Sequence, residues 1–116
     1  MKRLGILAIV MMFCSILASG HVVPVKEILD YLNSKEVREE AGIERATQDE
    51  KLPRLLIIEV NDKWFKLSET DRRNFAKKWY TVWRHTVTNG IVSVLDKDKG
   101  EPVVHFFPDG RIALTR

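Results

Sequence analysis

Residues 68–86 read as one long amphipathic helix whose buried stripe is mostly aromatic, and that stripe dictates what else the chain must contain. Ser68-Glu69-Thr70-Asp71 has the S-x-x-[DE] form of a capping box, with acids in the first turn where the helix dipole favours them. Phe75, Ala76, Trp79, Val82, Trp83 and Thr86 then trace one face at helical spacing. Arg72, Arg73, Lys77, Lys78 and Arg84 mark the solvated side. The pattern predicts a helix from Glu69 to Thr86 that stops before Asn89-Gly90, where glycine takes the left-handed cap. A face this bulky must be covered, and a sheet is the partner the rest of the sequence offers.

Arg54 to Val60, RLLIIEV, is too short for a helix, rich in β-branched residues and apolar on both faces, so it reads as a strand with neighbours. The tail reads as a β-meander. Ile91–Leu95 is a strand, and Asp96-Lys97-Asp98-Lys99-Gly100 a charged loop. Pro102 opens the strand Val103–Phe107, where its missing amide does least harm. Pro108-Asp109-Gly110 is a turn, and Arg111–Thr115 the last strand, with Ile112 and Leu114 on one face.

Upstream, Val25, Ile28, Leu29 and Leu32 fall on one helical face, giving a helix from Val25 to Asn33 that continues or restarts through Lys35–Ala41 before Gly42. Residues 44–53, ERATQDEKLP, are polar and closed by Pro53, and read as a connector. The expected fold is therefore α+β, a two-layer sandwich of two main helices against a mainly antiparallel sheet of about four strands, in the order α-β-α-β-β-β. If the Arg54–Val60 strand pairs parallel with a meander strand across the long helix, a right-handed crossover is the default.

Ahead of this unit lies MKRLGILAIVMMFCSILASG. A positive start at Lys2 and Arg3, an uncharged run from Leu4 to Leu17 and the small residues Ala18-Ser19-Gly20 have the layout of a bacterial-type signal peptide, residues 1–20, cut before His21. Two rivals remain: a lipoprotein attached at Cys14, with Phe13 the wrong shape for its peptidase, and an uncleaved anchor, for which the run is short of the ~20 residues a spanning helix needs. The expectation is a single small α+β domain over residues 21–116, acting in the periplasm or outside the cell, touching membrane only through its leader.

Charge supports that picture. The whole chain has 19 Lys+Arg against 16 Asp+Glu, and loses Lys2 and Arg3 with the leader, leaving 17 against 16. A nearly neutral domain has no strong field for nucleic acid or anionic membrane, so nucleic acid is not an expected partner. Cys14 is the only cysteine. The mature domain then has neither disulfide nor thiol and depends on its core alone.

Motifs for chemistry are sparse. Of the three histidines, His21 would bring an amine and an imidazole together at a new N-terminus, as any cut before a histidine does. His85 suits the negative end of a helix dipole, and His105 sits in a strand with Val103 and Phe107 on its face, reading as a partly buried, hydrogen-bonded imidazole. No H-x-x-x-H, H-E-x-x-H or C-x-x-C spacing occurs, and Asp96-x-Asp98-x-Gly100 fails the EF-hand pattern, with Glu101 and Phe107 at positions six and twelve. No serine elbow, S-x-x-K or phosphate loop is present, so no metal, cofactor or catalytic residue is expected.

What remains is the aromatic group. Trp79 and Trp83 belong to the core stripe, whereas Trp64, Tyr80 and Arg84 form a candidate aromatic-plus-cation surface for a protein partner. The function expected is non-catalytic binding. The alternative is a small extracytoplasmic hydrolase or metal-dependent enzyme using His85 or His105, and a weaker one is an inhibitor of a secreted hydrolase presenting the loop Asp96–Gly100. An exposed sheet edge offering strand addition is a second binding mode.

Overall fold

The computed structural model describes residues 24–115; the leader, its cleavage point and His21 lie outside them. The chain begins with α1, Val25–Leu32, and α2, Lys35–Ala41, at the positions the periodicity predicts. Ile28 and Leu32 point inward from α1, and Val37 and Ala41 from α2. Ser34 caps α2 by accepting a hydrogen bond from the Val37 amide, and Gly42 ends it in the left-handed conformation at φ 75°.

Gly42 does more than end a helix. Its carbonyl accepts from the Asn61 amide at 2.8 Å. A Cβ built on it would meet the Trp64 backbone, with the Trp64 Cα at 2.8 Å. Two stretches of backbone therefore touch here, which only glycine permits.

Residues 44–53, expected as a connector, instead supply most of a strand. β1, Ile43–Gln48, pairs antiparallel with β2, Leu55–Val60. Its polarity has two causes. β1 lies at the sheet edge, so little of it is covered, and a register irregularity between Ile43 and Arg45 breaks the alternation that would mark it. Only Ile43 and Ala46 are buried. The remaining turn is organised by Asp49, whose carboxylate accepts from the amides of Lys51 (3.1 Å) and Leu52 (2.8 Å).

The outer edge of β1 is sealed by one side chain. Asn33 Nδ2 donates to the Ala46 carbonyl at 2.8 Å, and the Ala46 amide donates to Asn33 Oδ1 at 2.9 Å. The side-chain amide thus stands in for a neighbouring strand at Ala46.

After β2, Asn61 caps a one-turn helix, α3, Asp62–Lys66, and Ser68 caps α4, Glu69–Thr86, accepting from the Asp71 amide at 3.1 Å. The bounds of α4 are those its sequence predicts. Its end differs from the expectation: Val87 follows in extended conformation, Asn89 takes the positive φ of 57°, and Gly90 does not. Asparagine tolerates the left-handed region, whereas Gly90 is placed where a Cβ would come 2.8 Å from the Trp83 ring.

β3, Ile91–Asp96, returns parallel to β2, giving a three-stranded mixed sheet in the order β1-β2-β3. The intervening helices make the crossover that parallel pairing requires. β4, Val104–Phe106, and β5, Ile112–Leu114, form a separate antiparallel ribbon, joined to β3 by a bridge between Leu95 and Pro102. The fold is thus α+β, with four helices and two sheets among the described residues rather than two helices and one mainly antiparallel sheet. Leu56, Ile58 and Val60 of β2 and Val92 and Val94 of β3 meet Ala76, Trp79, Val82 and Trp83 of α4 in one core.

Two substitutions test these joints. Gly42→Ala should lower stability to urea by about 2–4 kcal/mol, and Gly100→Ala, equally left-handed but facing open space, by only about 1 kcal/mol. Asn33→Ala should cost about 1–3 kcal/mol and raise the aggregation rate, read by light scattering, as the β1 edge is unsealed.

Candidate functional site

The three residues expected to share a binding surface part company. Trp64 is 0% exposed, its ring 5.5 Å from that of Trp79, and its Nε1–H has no hydrogen-bond partner. The cause is local: Asn61 starts a helical turn that swings Trp64 inward beneath Gly42. Trp64 therefore adds no accessible surface.

Tyr80 and Arg84 do come together. One helical turn apart on α4, they are joined by a 2.7 Å hydrogen bond from the Arg84 guanidinium to the Tyr80 hydroxyl, with the guanidinium carbon 5.3 Å from the ring centroid. Tyr80 also stacks on Phe106 of β4 at 4.9 Å and 12°. Among the described residues Arg84 has the phenol, and no acid, as its partner.

Beside this stack lies an open cleft of about 360 Å³. Gly90 to Ser93 of the β3 edge form one wall, Val104 to Phe106 of β4 the other, with Tyr80, Pro102 and Pro108 completing the lining. Most of these are apolar or aromatic, and none is a carboxylate. Ile91, at 37%, is one of the most exposed large apolar residues among those described.

The cleft exists because the chain twists at Val103. The Val103 amide donates to the Val94 carbonyl of β3 (2.9 Å), while the Val103 carbonyl accepts from Thr115 beyond β5 (3.1 Å). In a regular strand both groups of one residue point to the same neighbour. Here they serve opposite neighbours, so β4 leaves β3 and the space between them opens. The twist also resets the alternation: Val103 is buried while His105 is exposed. His105 is therefore not the partly buried, hydrogen-bonded imidazole expected; it meets the Phe107 ring edge-on at 4.4 Å. Phe106, which the sequence reading passed over, is the residue that alternation with His105 would have placed on the Tyr80 side.

Other candidate chemistry stays dispersed. His85 is exposed on the last turn of α4. No group of three or more metal-ligating side chains occurs among the described residues, and none of their helices is long and apolar enough to cross a membrane. Asp96–Gly100 is a tight turn: the Gly100 amide donates to the Asp96 carbonyl (2.7 Å) and the Asp98 amide to Asp96 Oδ1 (2.8 Å), with Asp96 itself 6% exposed. Two exposed helical pairs away from the cleft shift the pKa of one partner each. Hydrogen bonding and charge from Asp30 raise Lys26, and the same from Arg73 lowers Glu69.

A second depression of about 290 Å³, lined by Lys35, Arg38, Glu39, Ile43, Asn61 and Lys63, mixes charges of both signs. Compared with protein-family models, curated proteins and solved structures, the chain shows no match to any of them.

The placement of the aromatics is open to direct measurement. Trp64, Trp79 and Trp83 are at most 3% exposed, so native fluorescence should be blue-shifted and resist acrylamide until the domain unfolds. Tyr80→Phe should cost under about 1 kcal/mol because the bond it removes is exposed, whereas Tyr80→Ala, which also removes the stack on Phe106, should cost about 2–3 kcal/mol by denaturant titration.

Proposed function

We propose that this protein is an exported, non-catalytic binding protein: a small two-layer α+β domain that engages a protein partner through Tyr80, Arg84 and Phe106 at the mouth of the β3–β4 cleft. The observation that carries the reading is the stack itself. A tyrosine stacked on a second aromatic ring and bonded to a cation, beside an acid-free cleft, combines the residue types that dominate protein interfaces. The leader in residues 1–20 supports export, with the mature chain starting at His21.

The catalytic alternative draws on one feature, that His105 lines the cleft. A general base there wants an orienting acid, and among the described residues neither His105 nor His85 has a carboxylate within hydrogen-bond distance. The inhibitor alternative would rest on Asp96–Gly100, a turn that closes on itself rather than presenting an extended loop.

Two measurements test the proposal. N-terminal sequencing of the extracytoplasmic fraction should begin at His21, and a membrane-bound form released by Cys14→Ser would instead mark a lipoprotein. A photo-crosslinking residue placed at Phe106 in the producing cell should capture one discrete partner, and Arg84→Glu should abolish the capture while Lys77→Glu, on the solvated side of α4, leaves it. Capture unaffected by Arg84→Glu would remove Arg84 from the function.

A further inference from the structure

The two edges of the three-stranded sheet are treated differently. On the β1 side, Asn33 occupies the amide and carbonyl of Ala46. On the β3 side no such cover is found over Ile91–Ser93 among the described residues, and those residues form a wall of the cleft.

The direction of the backbone groups follows from their partners. The Ile91 amide donates to the Arg54 carbonyl (2.8 Å) and the Lys97 amide to the Val60 carbonyl (3.0 Å), so odd-numbered residues of β3 turn their amides toward β2. Even-numbered residues turn outward, since strand backbone groups alternate in direction. Two of them show it: the Val94 carbonyl accepts from Val103 and the Asp96 amide donates to Glu101, each at 2.9 Å. Val92 is the next residue in the series. Its outward side is the cleft, where β4 has already departed to pair with β5 and the bridge to β3 is confined to Leu95 and Pro102.

We infer that the cleft receives a short extended segment of a partner protein as an added strand, paired through the backbone of Val92. An apolar side chain of that segment rests on Tyr80 and Phe106, and a carboxylate meets Arg84. This inference rests on the binding reading above and specifies how the partner is held. Three features define the occupant. Val92 supplies the donor and acceptor of a ladder rung. The lining is mostly apolar and aromatic, with Ser93 and His105 its polar members, and contains no acid, while Arg84 beside it has no carboxylate partner among the described residues, so charge complementarity selects an acidic, apolar peptide. Pro102 and Pro108, which flank β4 on the lining, have no amide to donate, which limits the length of wall a segment can run along to a few residues.

The test uses the exported protein labelled with nitrogen-15 and a capped octapeptide of alternating valine and threonine carrying one glutamate near its end. Its controls are the same peptide N-methylated on alternate residues and the protein variants Tyr80→Ser and Arg84→Ala, each first shown to be folded by circular dichroism. Strand addition predicts that exchange of the Val92 amide slows at least about tenfold on binding, and that N-methylation on the edge facing β3 weakens binding by about tenfold or more. Binding weakened by both variants but indifferent to N-methylation, with Val92 exchange unchanged, would overturn strand addition and leave the surface reading standing. Absence of any shift at Tyr80, Val92 and Phe106 with this peptide, together with failure of the Phe106 crosslink, would overturn both. Slowed Val92 exchange that tracks protein concentration without peptide, with a dimer in sedimentation, would give the edge to a second copy of the chain and overturn the partner assigned here.

Discussion

The contact between the backbone of Gly42 and the backbone of Trp64 is the joint on which the described structure turns. It ends α2, starts β1, receives the Asn61 amide at the close of β2, and sets the α3 turn so that the Trp64 ring enters the core. Four elements are fixed at one residue that carries no side chain. A domain with a modest core and no covalent staple gains from such a joint, because close backbone approach orders several elements without additional buried area. Trp64 in turn supports Trp79, which Phe75 flanks at 6.0 Å, so the aromatic stripe of α4 is held from the end where the chain enters the helix.

The opposite end of α4 is organised by a different device. Trp83 Nε1 donates to the Arg54 carbonyl at 2.8 Å and Arg54 in turn donates to the Asn89 carbonyl at 3.1 Å, tying the helix exit to the start of β2. Arg73 reaches from the first half of α4 to the Ile112 carbonyl of β5 at 2.6 Å, so the ribbon is tied to the helix as well as to β3. The cleft therefore lies between two parts that are each anchored to α4. That arrangement keeps Tyr80, which stands on α4, at a fixed height against both walls.

Much of this was readable from local chemistry. Ser68 and the 3.6-residue stripe placed the start of α4 and, approximately, its end because capping and periodicity are both local properties. Gly42 and the Pro108–Gly110 turn were legible for the same reason, through the conformations glycine and proline permit. What escaped was set by distant neighbours. β1 looks like a connector because an edge strand with a register irregularity has no reason to alternate, and α3 is a single turn whose cap became visible only once β2 ended at Asn61. The pairing of Tyr80 with Arg84 follows from helical spacing, but the inward turn of Trp64 and the arrival of Phe106 over Tyr80 depend on chain segments far apart in sequence. No local signal marks the twist at Val103.

That twist has a mechanical consequence. A single residue, with its amide committed to one sheet and its carbonyl to the other, acts as the rivet of a pair of tongs whose jaws are β3 and β4. The far ends of the jaws diverge from that rivet, while the rungs at Leu95–Pro102 and at β4–β5 hold each jaw in its own sheet. The direction in which the jaws part is thus set at one buried residue that does not itself line the cleft, while their ties to α4 hold the gape.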